Sequence, residues 1–403
     1  MKVAARSGEE TSMKRLITAC LLTTACGTAV VGEDLPADPI PNTTRTVKIW
    51  ARPDAWVAAH VEGQPWRRLT TTFADHFELT GVTDRYAVMI GADNPLVFDA
   101  TVAELPEIIV GYARITELAQ FSVDVVGLGP SSSVAVSVGG AAFQERLSAP
   151  FTFDLSAPKG IVDLIAIERD ASDMLGLKIE RDIMLDADRR ATVDLGTDAI
   201  RPARATASLA GVAVGRSTAE LITSNGRASV VGPRSTAAMD WHTLPPGLAR
   251  RGDLYALRAN DDEVSITRFL DATTSVAAQA LDVTSIPRLP GGVSASRPAR
   301  LTGLTFASNM PTIGYVVHFL MPGGSNYGIN LTVTPGAIDG GAIELELPTA
   351  LEGFDPLWIF PSGQPIITTI RAIAANRAKM GTYFMTQEGE LQTSEWQGTF
   401  TAP

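Results

Sequence analysis

Apolar and polar positions alternate in short runs along most of this chain. Phe121, Val123 and Val125 are spaced by Ser122 and Asp124; Val134, Val136 and Val138 by Ala135 and Ser137; Phe151, Phe153 and Leu155 by Thr152 and Asp154. A period of two sends one set of side chains to one sheet face and the second set to the other, so each run predicts a half-buried β-strand. Ile343-Glu344-Leu345-Glu346-Leu347 is the cleanest case. Similar strands are expected over 56–61, 77–79, 86–90, 219–223, 228–231, 254–258, 264–269, 315–320, 327–333 and 396–401. Residues 370–379 also suit a short helix, since Ala and Arg favour one, but the run from 366 to 373 is read as strand. No segment carries a long amphipathic helix, a heptad or a transmembrane run. The chain is expected to be all-β.

Turn signals divide these strands every ten or so residues, as tandem β-sandwiches require. Glu62-Gly63-Gln64-Pro65 is one, and Asn225-Gly226, where both residues tolerate positive φ, predicts a hairpin. Pro287, Pro290, Gly291, Gly292 and Pro298 make 282–299 a linker candidate. The expected blocks are 46–112, 113–200, 201–298 and 299–403, each β-rich and of sandwich size. Ahead of them, 26–45 holds Pro36, Pro39 and Pro41 with three acidic residues and reads as an extended tether.

The second block carries a more specific pattern. A phenylalanine-rich strand leads into Ala157-Pro158-Lys159-Gly160 and then Ile161-Val162-Asp163-Leu164-Ile165-Ala166. This resembles carboxypeptidase regulatory-like domains, whose Pro-Gly corner leads into a Tyr-x-Leu strand; Ile161 stands where that family has tyrosine. The tail, 179–185 followed by Ala191-Thr192-Val193-Asp194-Leu195, resembles the closing strands of that fold. The resemblance implies a small prealbumin-like or immunoglobulin-like sandwich without chemistry of its own.

The N-terminal segment gives an address. From Met13 the chain reads two positive charges, Lys14 and Arg15, then an apolar run of about ten residues up to Ala25. That is a secretory signal, too short for the ~20 apolar residues of a membrane span. Residues 1–12 fit no signal, so translation is expected to begin at Met13. Leu22-Thr23-Thr24-Ala25-Cys26-Gly27 resembles a bacterial lipobox, with Thr23 where leucine is usual. The resemblance implies removal of 1–25, lipidation of Cys26 and an extracytoplasmic, outer-membrane location. Tandem sandwiches behind such a signal look like bacterial surface lipoproteins of unknown function. An ordinary cleaved signal is the alternative.

Charge and cysteine content narrow the partners. The formal net charge is −11, and 1–25 holds four basic and two acidic residues, so the mature chain is more acidic still. Such a surface opposes nucleic-acid binding and adsorption on anionic lipid, leaving membrane attachment to acyl chains. Both cysteines, Cys20 and Cys26, lie in the signal region. The mature body therefore has no disulfide, thiol catalyst or Cys-ligated metal.

No motif marks a reaction, cofactor or metal. The four histidines, His60, His76, His242 and His318, form no HxxxH or HxH pair. His318, among Val316, Val317, Phe319 and Leu320, is expected in or near a core; His60 and His76, flanking a hairpin, in solvent. Asp186, Asp188, Asp194 and Asp198 lack the EF-hand spacing and stand beside Arg189 and Arg190. Asp261-Asp262-Glu263 reads as a solvated turn. Gly215-Arg216-Ser217-Thr218-Ala219 is no nucleophile elbow, and Gly127-Leu128-Gly129 opens no helix. Trp56, Trp241, Trp358 and Trp396 are expected in cores. Trp66, after a turn and beside Arg67 and Arg68, is the candidate ligand contact. The sequence thus points to a non-catalytic, lipid-anchored surface protein with a possible surface-protein or glycan partner. A carbohydrate-binding module and a secreted hydrolase are the alternatives, the first requiring exposed aromatics and the second a pocket with paired carboxylates or a histidine triad.

Overall fold

The alternating runs fold as the strands they predict. The computed structural model describes residues 44–402 apart from 53, 72–75, 92–93, 111–116, 130–131, 141, 171–172, 214, 246, 275, 277, 295–298, 322–327, 339–340 and 377–388. Cys26, the signal segment and nearly all of the tether lie outside the described residues. The first block gives β1 (Arg45–Trp50), β2 (Trp56–Val61), β3 (Arg67–Arg68), β4 (Phe77–Val82), β5 (Arg85–Gly91), β6 (Leu96–Thr101) and β7 (Glu107–Ile109). The second gives β8 (Leu118–Val126), β9 (Ser133–Val138), β10 (Ala142–Arg146), β11 (Thr152–Pro158), β12 (Gly160–Asp170), β13 (Asp173–Leu185) and β14 (Arg189–Asp194). Next come β15 (Ala203–Ala210), β16 (Ser217–Thr223), β17 (Gly226–Ser229), β18 (Val231–Arg234), β19 (Ala238–Thr243), β20 (Leu254–Asn260), β21 (Val264–Asp271) and β22 (Gln279–Asp282). The last are β23 (Gly292–Ser294), β24 (Ala299–Thr302), β25 (Thr312–Leu320), β26 (Gly328–Val333), β27 (Ile343–Leu345), β28 (Pro365–Ala375) and β29 (Gly389–Thr401). Among the described residues the helical elements are two single 3₁₀ turns, each opened by proline. The protein is all-β.

One long sheet runs through three of the expected blocks. Its twelve strands lie in the order β17-β16-β20-β21-β29-β28-β25-β26-β6-β5-β2-β3. All its pairs are antiparallel except β26 with β6, where Asn330 lies opposite Leu96. Strand β29 joins two blocks, pairing along β21 on one side and β28 on the other. Sheet β4-β1-β7 covers one face at the β5-β2 end, burying Val47, Ile49 and Phe77 against Val57, Tyr86 and Val88. On the opposite face, β18-β19-β15-β22 and β23-β24-β27 share a large core that includes Trp241, Tyr255, Leu301, Val317 and Ile370. The long sheet thus serves as the second layer of several sandwiches.

The second block closes on itself as β10-β9-β12-β13 over β11-β8-β14, around Phe121, Val136, Phe153 and Leu164. Its β9-β12-β13 surface packs outward as well, sending Ala135, Ile165, Ile167 and Met174 into the large core. Being buried on both faces explains why 162–167 reads as a near-continuous apolar run rather than an alternation. The Pro158–Gly160 corner forms as expected, with Gly160 at φ +130°, a conformation that favours glycine.

Four local expectations are corrected. The 226 hairpin turns on Ser224 and Asn225, one residue early: Thr223 pairs with Gly226, and neither Asn225 nor Gly226 uses positive φ. The linker candidate is packed in, with Ile286 and Leu289 buried and Leu289 donating its N–H to Ser394 Oγ at 2.6 Å. His318 is exposed, because β25 turns Tyr315, Val317 and Phe319 inward and the alternate positions outward. His76 is buried, its ring 4.8 Å from that of Trp50 and its Nε2 3.4 Å from Glu78 Oε1.

Candidate binding cleft

The turn at Gly63 (φ +76°) folds β3 back on β2, so Ala59 pairs with Arg67 and Trp66 reaches the edge of the large core. Trp66 is half-buried and stacks on His60, with ring centroids 5.7 Å apart and planes 30° apart. Strand register supplies the rest of the wall. His60 is opposite Ala87, and Ala87 is opposite Asp99, so the three project from the same sheet face. Across from them stands β27, the edge strand of its sheet, with Glu344 pointing out between buried Ile343 and Leu345 and exposed Glu346 just beyond. Between the two walls lies a cleft of about 460 Å³, floored by Val97 and Leu331.

Asp99 is the buried charge of this cleft. Arg85 grips it with two parallel hydrogen bonds, Nε to Oδ1 at 2.9 Å and Nη2 to Oδ2 at 2.7 Å. Burial pushes the Asp99 carboxyl up, while the Arg85 guanidinium and, less strongly, His60 pull it down; burial wins. Below Asp99, Tyr86 donates its hydroxyl to the Leu105 carbonyl at 2.5 Å, and burial together with the Asp99 charge pushes that phenol above its usual range. On the opposite wall Arg300 lies 3.9 Å from Glu344. Glu62 completes the rim. Each cleft arginine therefore faces a carboxylate, and two further carboxylates remain.

Of the residues singled out from sequence, Trp66 is at the cleft and His60, expected in solvent, is its stacking partner. His242 is buried elsewhere, between the Val230 carbonyl at 3.2 Å and Asp173 at 2.8 Å. Trp241 is fully buried, and Trp56 and Trp358 meet in a buried aromatic group with ring centroids 5.3 Å apart. Trp396 is half-buried against the large core. The aspartates of 186–198 disperse: Asp188 accepts from Gln120 N, Asp194 caps Gly196 and Thr197, and Asp198 pairs with Lys178. Among the described residues no group of His, Cys, Asp and Glu could hold a metal ion. Asp261 accepts from the Glu263 and Val264 N–H groups, as a turn residue does.

Sequence reasoning missed Arg85, Asp99, Arg300, Glu344 and Glu346 as cleft residues. One signal was available: Asp99 interrupts an apolar strand, Leu96-Val97-Phe98-Asp99-Ala100, where an aspartate is costly unless paired. A second concavity, about 630 Å³, opens on the other face of the long sheet around Arg258. There Arg216, Arg227 and Arg371 pair with Asp262, Glu220 and Glu395.

No protein-family model matches this chain, and no curated protein does. Among solved structures, a protein named a "putative adhesin" from Bacteroides ovatus is 11% identical over 40% of this chain and 74% of its own, with a TM-score of 0.12. A DUF3823 family protein from Bacteroides ovatus ATCC 8483 is 12% identical over 49% of this chain and 97% of its own, with a TM-score of 0.14. Likenesses of that size say nothing about which residues act or on what.

Proposed function

We infer that this is a non-catalytic protein of the bacterial surface, held to the outer membrane by lipid on Cys26 and presenting its β-sandwiches beyond an acidic tether. The observation that carries this reading is the run from Lys14 to Cys26: positive start, short apolar stretch, small residues, cysteine. The tether after it, about 20 residues at ~3.1 Å each when extended, spans several nanometres. The chemistry of the cleft agrees with a binding role. The deepest cleft carboxylate, Asp99, accepts one Arg85 hydrogen bond on each oxygen and keeps acceptor capacity for a ligand. Fractionation tests the anchoring. Wild type is expected in the membrane fraction and Cys26→Ser in the soluble fraction; equal distribution of the two contradicts it.

A second reading, a carbohydrate-binding module, is favoured by one observation: Trp66 and His60 form an aromatic wall in a cleft that also presents Arg85, Asp99, Glu344 and Glu346.

A further inference from the structure

We propose that the cleft between β2, β5, β6 and β27 binds an uncharged saccharide, which lies against the Trp66–His60 wall and hydrogen-bonds to the Arg85–Asp99 pair and to Glu344 and Glu346. This rests on the carbohydrate-binding reading above and adds the place, the contacts and the class of sugar. The volume, about 460 Å³, falls within the ~300–1,000 Å³ of small-molecule sites.

The lining suits a sugar ring on both of its aspects. A pyranose offers apolar C–H faces and a polar rim of hydroxyls. Trp66, Ala87, Val97 and Leu331 supply apolar surface for the faces. A hydroxyl donates one hydrogen bond and accepts others, so it is best met by a donor placed beside an acceptor. The Arg85–Asp99 fork is such a pair, and its two hydrogen bonds hold donor and acceptor at fixed spacing before any ligand arrives.

Charge selects the class. Arg85 pairs with Asp99 and Arg300 lies beside Glu344, and with Glu62 and Glu346 the lining holds four carboxylates against two guanidinium groups. The lining is therefore net negative and repels sialylated, sulfated or phosphorylated glycans. Cations are served less well. The deepest carboxylate, Asp99, already has its charge matched by a guanidinium, and the two extra carboxylates stand at the rim. A neutral ligand pays no desolvation cost for a charge of its own.

The test uses the full chain purified in detergent and probed on an array of neutral, sialylated, sulfated and amino-sugar oligosaccharides. Wild type, Trp66→Ala and Glu346→Lys are compared, with circular dichroism confirming that each is folded. The expected result is binding of neutral glycans by wild type, weakened about tenfold by Trp66→Ala. Glu346→Lys, at an exposed position, keeps the fold even where Trp66→Ala does not, and is expected to weaken neutral binding and admit sialylated glycans. Binding confined to acidic or amino glycans overturns the uncharged class while leaving a sugar-binding protein. Binding of neutral glycans that neither substitution alters overturns the site. Folded wild type that captures no glycan overturns the carbohydrate reading itself.

Discussion

Arg181 and Asp253 meet through two hydrogen bonds, at 2.9 and 2.6 Å, with Asp253 wholly buried and Arg181 nearly so. Asp163 lies 3.8 Å from the same guanidinium and accepts from Thr223 Oγ1 and from the Asp182 N–H. These residues belong to β13, β12, β16 and the loop before β20, so the cluster fixes the second block against the long sheet. Removing one member of a buried pair leaves the other charge uncompensated, which costs ~3–5 kcal/mol. Asp253→Ala is expected to lower stability by about that much, read as a shift in the urea midpoint at unchanged slope. Arg190→Ala is the control. Its partner Asp124 sits in solvent contact, and no midpoint shift is expected. A similar midpoint for both variants contradicts the assignment of the Arg181 cluster as the fastening.

At the scale of elements, the close approach of β5 to the 356–358 turn depends on a glycine. A Cβ on Gly91 would fall 2.3 Å from a ring carbon of Trp358, which is packed between Trp56 and Phe354. The Trp56 Nε1–H is also bonded to the Glu352 carbonyl at 3.0 Å, so the ring group has little room to yield. Gly91→Ala is expected to destabilise by about 1–3 kcal/mol through overpacking, measured by chemical denaturation. An unchanged midpoint would show that the loop gives way freely. The strands themselves were the most legible feature. In β8 the exposed and buried positions alternate as Phe121, Val123 and Val125 require. Facing was less legible where a strand is apolar on both sides: Val316, Val317, Phe319 and Leu320 hide the parity that sends His318 outward. Trp66 could be singled out because a local turn exposes it. Its companions could not, since Glu344 and Asp99 meet only through strand pairings between residues more than 200 positions apart, such as Asn330 with Leu96.

For the molecule as a whole, block spacing was a weaker guide than strand content. Composition suggested a linker at 282–299, yet Ile286 and Leu289 are core residues and Ser394 of β29 holds Leu289 in place. Nothing local in a sequence states that β29 will serve two neighbours, because that choice is settled by which long-range pairing buries more apolar surface. The described part of the chain is therefore a single shared sheet dressed with smaller ones, and the run from Lys14 to Cys26 is proposed as the protein's address. That address is the central functional claim. It is tested most directly by mass spectrometry of the mature N-terminal peptide from the native membrane. A peptide beginning at Cys26 and carrying acyl chains is the predicted result; an unmodified N-terminus, at Cys26 or any other residue, contradicts it.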